Sequence, residues 1–129
     1  HKKVIEQLDF DTVLMALNAA GHKKFHEIAL PAAEKKKMGI IAMKVTRGLV
    51  GTGEGKATPK ELLSWAFSLP VSTVIVGMES VAQLEENVAL AKAFKPDSTD
   101  VAALTRRLAP HVTAEQLVWA MQGYQDACV

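Results

Sequence analysis

Three short apolar runs alternate with longer stretches in which apolar positions recur every three or four residues, and this alternation sets the expected fold. Thr12-Val-Leu-Met-Ala-Leu17, Gly39-Ile-Ile-Ala-Met-Lys-Val45 and Ser72-Thr-Val-Ile-Val76 each predict a strand that is apolar on both faces. In the last run every residue after Ser72 is β-branched, which suits a pleated, buried strand. The residues from His22 to Lys37 predict a helix with Phe25, Ile28, Ala29, Ala32 and Ala33 on one face, kinked or restarted at Pro31. Thr58-Pro-Lys-Glu61 predicts a helix start, with Pro at the first helical position and Glu three residues after the cap. Leu62, Leu63, Ala66, Phe67 and Leu69 form that helix's inner face, and Pro70 ends it. After the third strand, Gly77 makes a turn and a helix opens at Ser80, whose spacing to Gln83 is that of a capping box. Leu84, Val88, Ala91 and Phe94 are expected to face inward from it.

The rhythm then breaks. Lys95 to Thr99 reads as a loop, followed by helices over Thr99 to Leu108 and Thr113 to Asp126. The second has the Thr113/Gln116 spacing of a capping box and an apolar stripe of Leu117, Val118, Met121 and Tyr124. The opening His1-Lys-Lys-Val-Ile-Glu-Gln-Leu8 reads as the last two turns of a helix, as though the stretch belonged to something longer. Strands apolar on both faces and joined by helices imply an α/β fold with a parallel sheet covered by helices. Right-handed crossovers would put every strand-to-helix loop at one end of that sheet. Three strands leave two open edges, which invite self-association.

Composition narrows this picture. With 129 residues, 49% of them hydrophobic and 22% charged, the chain suits one soluble core. A net charge of +1 gives no electrostatic case for nucleic acid or an anionic membrane surface. The single Cys128 excludes an internal disulfide, no apolar run is long enough to span a bilayer, and the default compartment is the cytoplasm.

Candidate chemistry is sparse. Gly51-Thr-Gly-Glu-Gly-Lys-Ala-Thr58 follows a strand, but Val50 and Ala57 stand where a nucleoside-triphosphate loop needs glycine and a hydroxyl. A flexible glycine loop is the expectation. His22 and His26 have helical metal-ligand spacing, but Lys23 and Lys24 lie between them, so they read as surface histidines and no metal site is assigned. Lys35 to Lys37 read as a solvated helix end, Glu79, Glu85 and Glu86 as solvated carboxylates, and Trp65 and Trp119 as packing residues. The strand–Gly77–helix joint presents free N–H groups of the kind that hold phosphate, although an ordinary strand-to-helix joint has the same local pattern.

Three collinear segments resemble the aldo-keto reductase family. Phe10-Asp-Thr-Val-Leu-Met-Ala-Leu-Asn18 looks like its sixth barrel strand and Met38-Gly-Ile-Ile-Ala-Met-Lys-Val45 like its seventh. Thr73-Val-Ile-Val-Gly-Met-Glu-Ser-Val-Ala-Gln-Leu-Glu-Glu-Asn87 looks like the eighth strand and its helix, and its Gly-x-x-Ser-x-x-Gln-Leu-x-Glu-Asn pattern is the most specific part. The resemblance implies a partial (β/α)8 (TIM) barrel of about three parallel βα units, residues 1–96, with a helical C-terminal extension, residues 97–129. It also implies NADP, or NAD, as cofactor and a small-molecule carbonyl substrate for the complete barrel. Gly77, Gln83, Glu86 and Asn87 would contact the adenosine end, Met43 would stand against the nicotinamide, and Lys44, Thr46 and Gly48 would line the pyrophosphate. Leu14 replaces a Gln that many members use on the carboxamide, and Glu79 stands where a small or basic residue would favour a 2′-phosphate. The family's catalytic Tyr, Lys, Asp and His come from the first half of the barrel, so no residue here is assigned a catalytic role. The other class left open is a stand-alone, self-associating half-barrel without reductase activity, or with an unrelated one.

Overall fold

The computed structural model describes residues 1–95 and 100–124. Its strands are β1 (Thr12–Ala16), β2 (Gly39–Met43) and β3 (Thr73–Val74), in one parallel sheet of order β1-β2-β3. Its helices are α1 (Lys2–Gln7), α2 (Phe25–Ile28), α3 (Leu30–Lys35), α4 (Pro59–Phe67), α5 (Val81–Ala93) and α6 (Val101–Leu108). The chain is thus an α/β protein with a three-stranded parallel sheet. Thr12 pairs with Gly39 and Ala16 with Met43, and Leu17 N–H donates to the Met43 carbonyl at 3.0 Å, extending the ladder by one residue. β3 is shorter than the apolar run predicts: Ile41 pairs with Thr73 and Ala42 with Val74, with Ser72 N–H donating to the Ile40 carbonyl and Ile75 N–H to the Ala42 carbonyl, both at 2.8 Å, at its two ends.

Only one face of the sheet is covered. Paired residues of a parallel ladder point to the same side, so Met15, Ala42 and Val74 share one face and Leu14, Ile41 and Thr73 the other. The first face, with Ile40, enters a core completed by Leu62, Leu63, Trp65, Leu104 and Leu108. On the second face Leu14 is 47% exposed, and Ile75, just beyond β3, is 53% exposed. The sequence expectation of strands buried on both sides is therefore corrected, because the helices supply one apolar layer and nothing among the described residues supplies the other.

α5 shows the same imbalance. It is expected to turn Leu84, Val88 and Ala91 inward, but it has no buried residue, and Leu84 and Val88 are 46% and 42% exposed. It leans on α4, where the Phe67 and Phe94 rings meet at a tilt of 58° with centroids 5.4 Å apart. A crossover helix after an edge strand covers that strand and the next strand position outward; here that position is empty among the described residues.

Two predicted helices are revised. His22–Lys37 is a 3₁₀ turn (His22–Lys24) followed by α2 and α3, because Gly21, Lys23 and Lys24 all adopt left-handed backbone that a continuous helix cannot accept. Pro31 sits in the first turn of α3, so it restarts the helix. His26 is no surface histidine: its side chain is 18% exposed and its ring meets Trp65 edge-on at 5.9 Å. Of the helix expected from Thr113 to Asp126, whose last two residues lie outside the described ones, the described part forms a single 3₁₀ turn, Val118–Ala120. Of the capping box expected at its start, Thr113 N–H donates to Gln116 Oε1 at 3.0 Å. Leu117 and Ala120 then bury while Val118 and Met121 stay exposed.

The start of α4 follows the sequence closely. Glu61 N–H donates to Thr58 Oγ1 at 3.2 Å, Thr58 N–H donates to Glu61 Oε2 at 2.8 Å, and Arg107 of α6 donates to Glu61 Oε1 at 2.7 Å. The Thr58 backbone hydrogen bond, assisted by the Thr58 hydroxyl and the Arg107 guanidinium, holds the Glu61 carboxyl below its usual range. Its folded pKa lies under its unfolded value, so the stabilisation is present above the unfolded pKa and is lost as pH falls through the folded one. Glu61→Ala is expected to cost about 1 kcal/mol at pH 7, a typical value for a lost cap. Urea unfolding should show that difference shrinking in acid; a difference that persists unchanged there would sink this account.

Candidate nucleotide site at the carboxyl ends of the strands

In a parallel sheet all strand C-termini lie at one end, and ligands of open α/β sheets bind outside that end. Met43 ends β2 and Lys44, Thr46 and Gly48 follow it, while Gly77, Glu79, Gln83, Glu86 and Asn87 follow β3, so the order β1-β2-β3 brings both groups to that end beside adjacent strands.

At the β3 side the joint is open. A side chain at Gly77 would meet nothing within 4 Å, so a ligand has free backbone approach there. Ser80 caps α5, its Oγ accepting from Gln83 N–H at 3.2 Å. Gln83 does not complete a reciprocal box with Ser80; its Oε1 accepts from Glu79 N–H at 2.8 Å and ties the turn to the helix. The amides of Val81 and Ala82, at the first two helical positions, have no partner within the helix and carry the positive end of its dipole. Gln83, Glu86 and Asn87 stand at i, i+3 and i+4, one helical face. Asn87 also lines an apolar groove of about 540 Å³ between β3 and α5, together with Val74, Val76, Leu84 and Val88. Glu79, Gln83 and Glu86 are exposed, and Glu79 adds a negative charge beside the helix start.

At the β2 side the loop is covered. Lys44 adopts left-handed backbone (φ 61°), which is costly for a residue with a side chain, and its Nζ lies 5.4 Å from the centroid of the Tyr124 ring. Gly48 (φ 81°) lies under the C-terminal segment: a Cβ there would stand 2.6 Å from the Gln116 carbonyl oxygen. The glycine-rich stretch folds back on itself through Ala57 N–H to Leu49 carbonyl (2.9 Å) and Gly51 N–H to Ala57 carbonyl (3.2 Å), while Lys56 Nζ donates to the Gly48 carbonyl at 2.7 Å.

Two features of this end escape sequence reasoning. Asn18, just past β1, is buried, and its Oδ1 has no hydrogen-bond partner among the described residues. An acceptor so placed is costly unless a donor reaches it. In the sequence Asn18 is only a turn residue closing an apolar run. The other feature is the cover itself, Gln116, Leu117 and Tyr124, for which no spacing signal exists because its partners are some 70 residues away in the chain. The larger groove, about 720 Å³ between α4, α5 and the start of α6, is lined by Lys60, Leu90, Phe94, Leu104 and Arg107 among others and holds none of the expected cofactor residues. No group of three or more His, Cys, Asp or Glu able to hold a metal occurs among the described residues, and no helix there is long and apolar enough to cross a membrane.

Comparison with protein-family models found no match, and neither curated proteins nor solved structures gave one.

Proposed function

We propose that this chain supplies the adenosine and phosphate end of an NAD(P)H site in a (β/α)8 barrel of the aldo-keto reductase type. The observation that carries the reading is that residues 43–48 and 77–87 come at and after the carboxyl ends of the adjacent parallel strands β2 and β3, in the order the resemblance requires. The open approach at Gly77, the amides of Val81 and Ala82, and the unpartnered Asn18 Oδ1 suit a dinucleotide. Such a cofactor would supply hydride; the residues here bind and orient it. Val81 and Ala82 N–H would face a phosphate, with Gln83, Glu86 and Asn87 toward the adenosine, and Lys44 and Gly48 toward the pyrophosphate. The bare sheet face, with Leu14, Ile41 and Met43, is the face that lines the interior of a closed barrel. NADPH and NADH titrated calorimetrically into the chain test the reading. Saturable binding weakened at least tenfold by Asn87→Ala supports it, and no heat up to millimolar cofactor rejects it.

The bare face favours a second reading, a self-associating half-barrel without reductase activity. Leu14 and Ile75, with Met78, Val81, Leu84 and Val88, are each 42–71% exposed, and among the described residues β1 and β3 each have one unpaired edge. Apolar surface and open strand edges both drive association. Sedimentation should then show dimers or larger species that Leu14→Glu dissociates, and a clean monomer at tens of micromolar would refute this alternative.

A further inference from the structure

We infer that residues 109–124 form an autoinhibitory strap: docked as they are, they exclude an anionic ligand from residues 44–48, and they must lift for one to bind. The inference rests on the dinucleotide reading of that loop. Two close backbone contacts and two buried side chains define the strap. The Gln116 carbonyl oxygen lies so close to Gly48 that a Cβ would stand 2.6 Å from it, and the His111 carbonyl oxygen lies 2.9 Å from the equivalent position at Gly55. Both glycines have positive φ and permit an approach that no side chain would allow. Leu117 and Ala120 anchor the segment in the core.

The chemistry of the cover opposes an anion. Phosphate oxygens need donors, and the strap presents a carbonyl oxygen at Gly48. The Lys44 ammonium, a cation of this loop, is engaged on the face of the Tyr124 ring. Strap and anion therefore compete for the same two residues. The docking is also incomplete: Trp119 Nε1 is buried with no hydrogen-bond partner among the described residues, although its ring packs edge-on against His22 at 6.4 Å. A strap held by apolar anchors, with a donor left unsatisfied, is suited to release.

When the competent, lifted state is a minor fraction of the population, apparent affinity falls by that fraction, and freeing the strap restores it. The test uses the full chain, with NADPH and inorganic pyrophosphate titrated into the wild type, Tyr124→Ala and Leu117→Asp. Acrylamide quenching of Trp119 in a Trp65→Phe background reports the strap, and circular dichroism confirms folding. Leu117→Asp should bind at least about tenfold more tightly and Tyr124→Ala about threefold more, while ligand should increase Trp119 quenching with the strap intact. Equal affinity in all three chains, with Trp119 still shielded in the liganded wild type, overturns the strap and leaves the cofactor reading standing. No binding by any chain, with Trp119 exposed in Leu117→Asp, rejects both. If Leu117→Asp does not fold, Tyr124→Ala with the same quenching readout decides the question.

Discussion

Trp65→Ala is expected to remove about 3–5 kcal/mol of stability, the usual cost of truncating a fully buried tryptophan. That is a large share of the roughly 5–15 kcal/mol that holds a domain together, so most of the variant should be unfolded at modest temperature. The side chain is 0% exposed and sits where three elements meet. It belongs to α4, its ring faces His26 of α2, and its Nε1–H donates to Thr105 Oγ1 of α6 at 3.2 Å. Alanine leaves a cavity that none of those helices can close alone, because each is also fixed elsewhere in the core. Trp65→Phe should cost less, keeping much of the volume and losing the Thr105 hydrogen bond, worth about 1 kcal/mol. Thermal unfolding followed by circular dichroism ranks the three chains. A Trp65→Ala melting point within a few degrees of wild type would mean that α4 and α6 do not share one core.

That junction also shows what the sequence makes legible and where it stops. Trp65 reads as a packing residue from its place between Leu62, Leu63 and Ala66, and Thr58 with Glu61 reads as a cap; both are local patterns and both appear in the structure. The parallel strand order is readable because apolar runs separated by helical stretches permit few arrangements. The failures fall where distant contacts override local pattern. The stripe of Leu117, Val118, Met121 and Tyr124 has helical spacing, but the segment closes as a 3₁₀ turn that buries Leu117 and Ala120 and leaves Val118 and Met121 outside. Lys23 and Lys24 carry no sign of left-handed backbone. α5 has inward-facing residues by spacing, yet Leu84 and Val88 stay largely exposed because the helix leans on α4 without entering the core. At the candidate site, sequence order places the two residue groups, but not the tail that lies on one of them or the burial of Asn18.

Within the proposed cofactor reading, Glu79→Lys is expected to shift the preference between NADPH and NADH by about 2 kcal/mol, roughly 30-fold in the ratio of affinities. The magnitude follows from Coulomb's law: a unit pair about 4 Å apart in water is worth about 1 kcal/mol. A monoester phosphate carries a charge of about −1.5 to −2, and the substitution changes the facing charge by two. Salt screens the resulting several kcal/mol to about half at an exposed site. Glu79 is exposed and its backbone N–H is held by Gln83 Oε1, so its side chain can be exchanged without disturbing the turn. The wild-type carboxylate should repel the 2′-phosphate, giving NADH the advantage; lysine should reverse it while leaving NADH affinity within about twofold, since NADH has no phosphate at that position. The shift should shrink as ionic strength rises, because Glu79 and the phosphate both face solvent. Competitive titrations of the two cofactors at low and high salt measure each part. Equal ratios in the wild type and Glu79→Lys would place the 2′-position away from the start of α5 and remove that helix from the adenosine site.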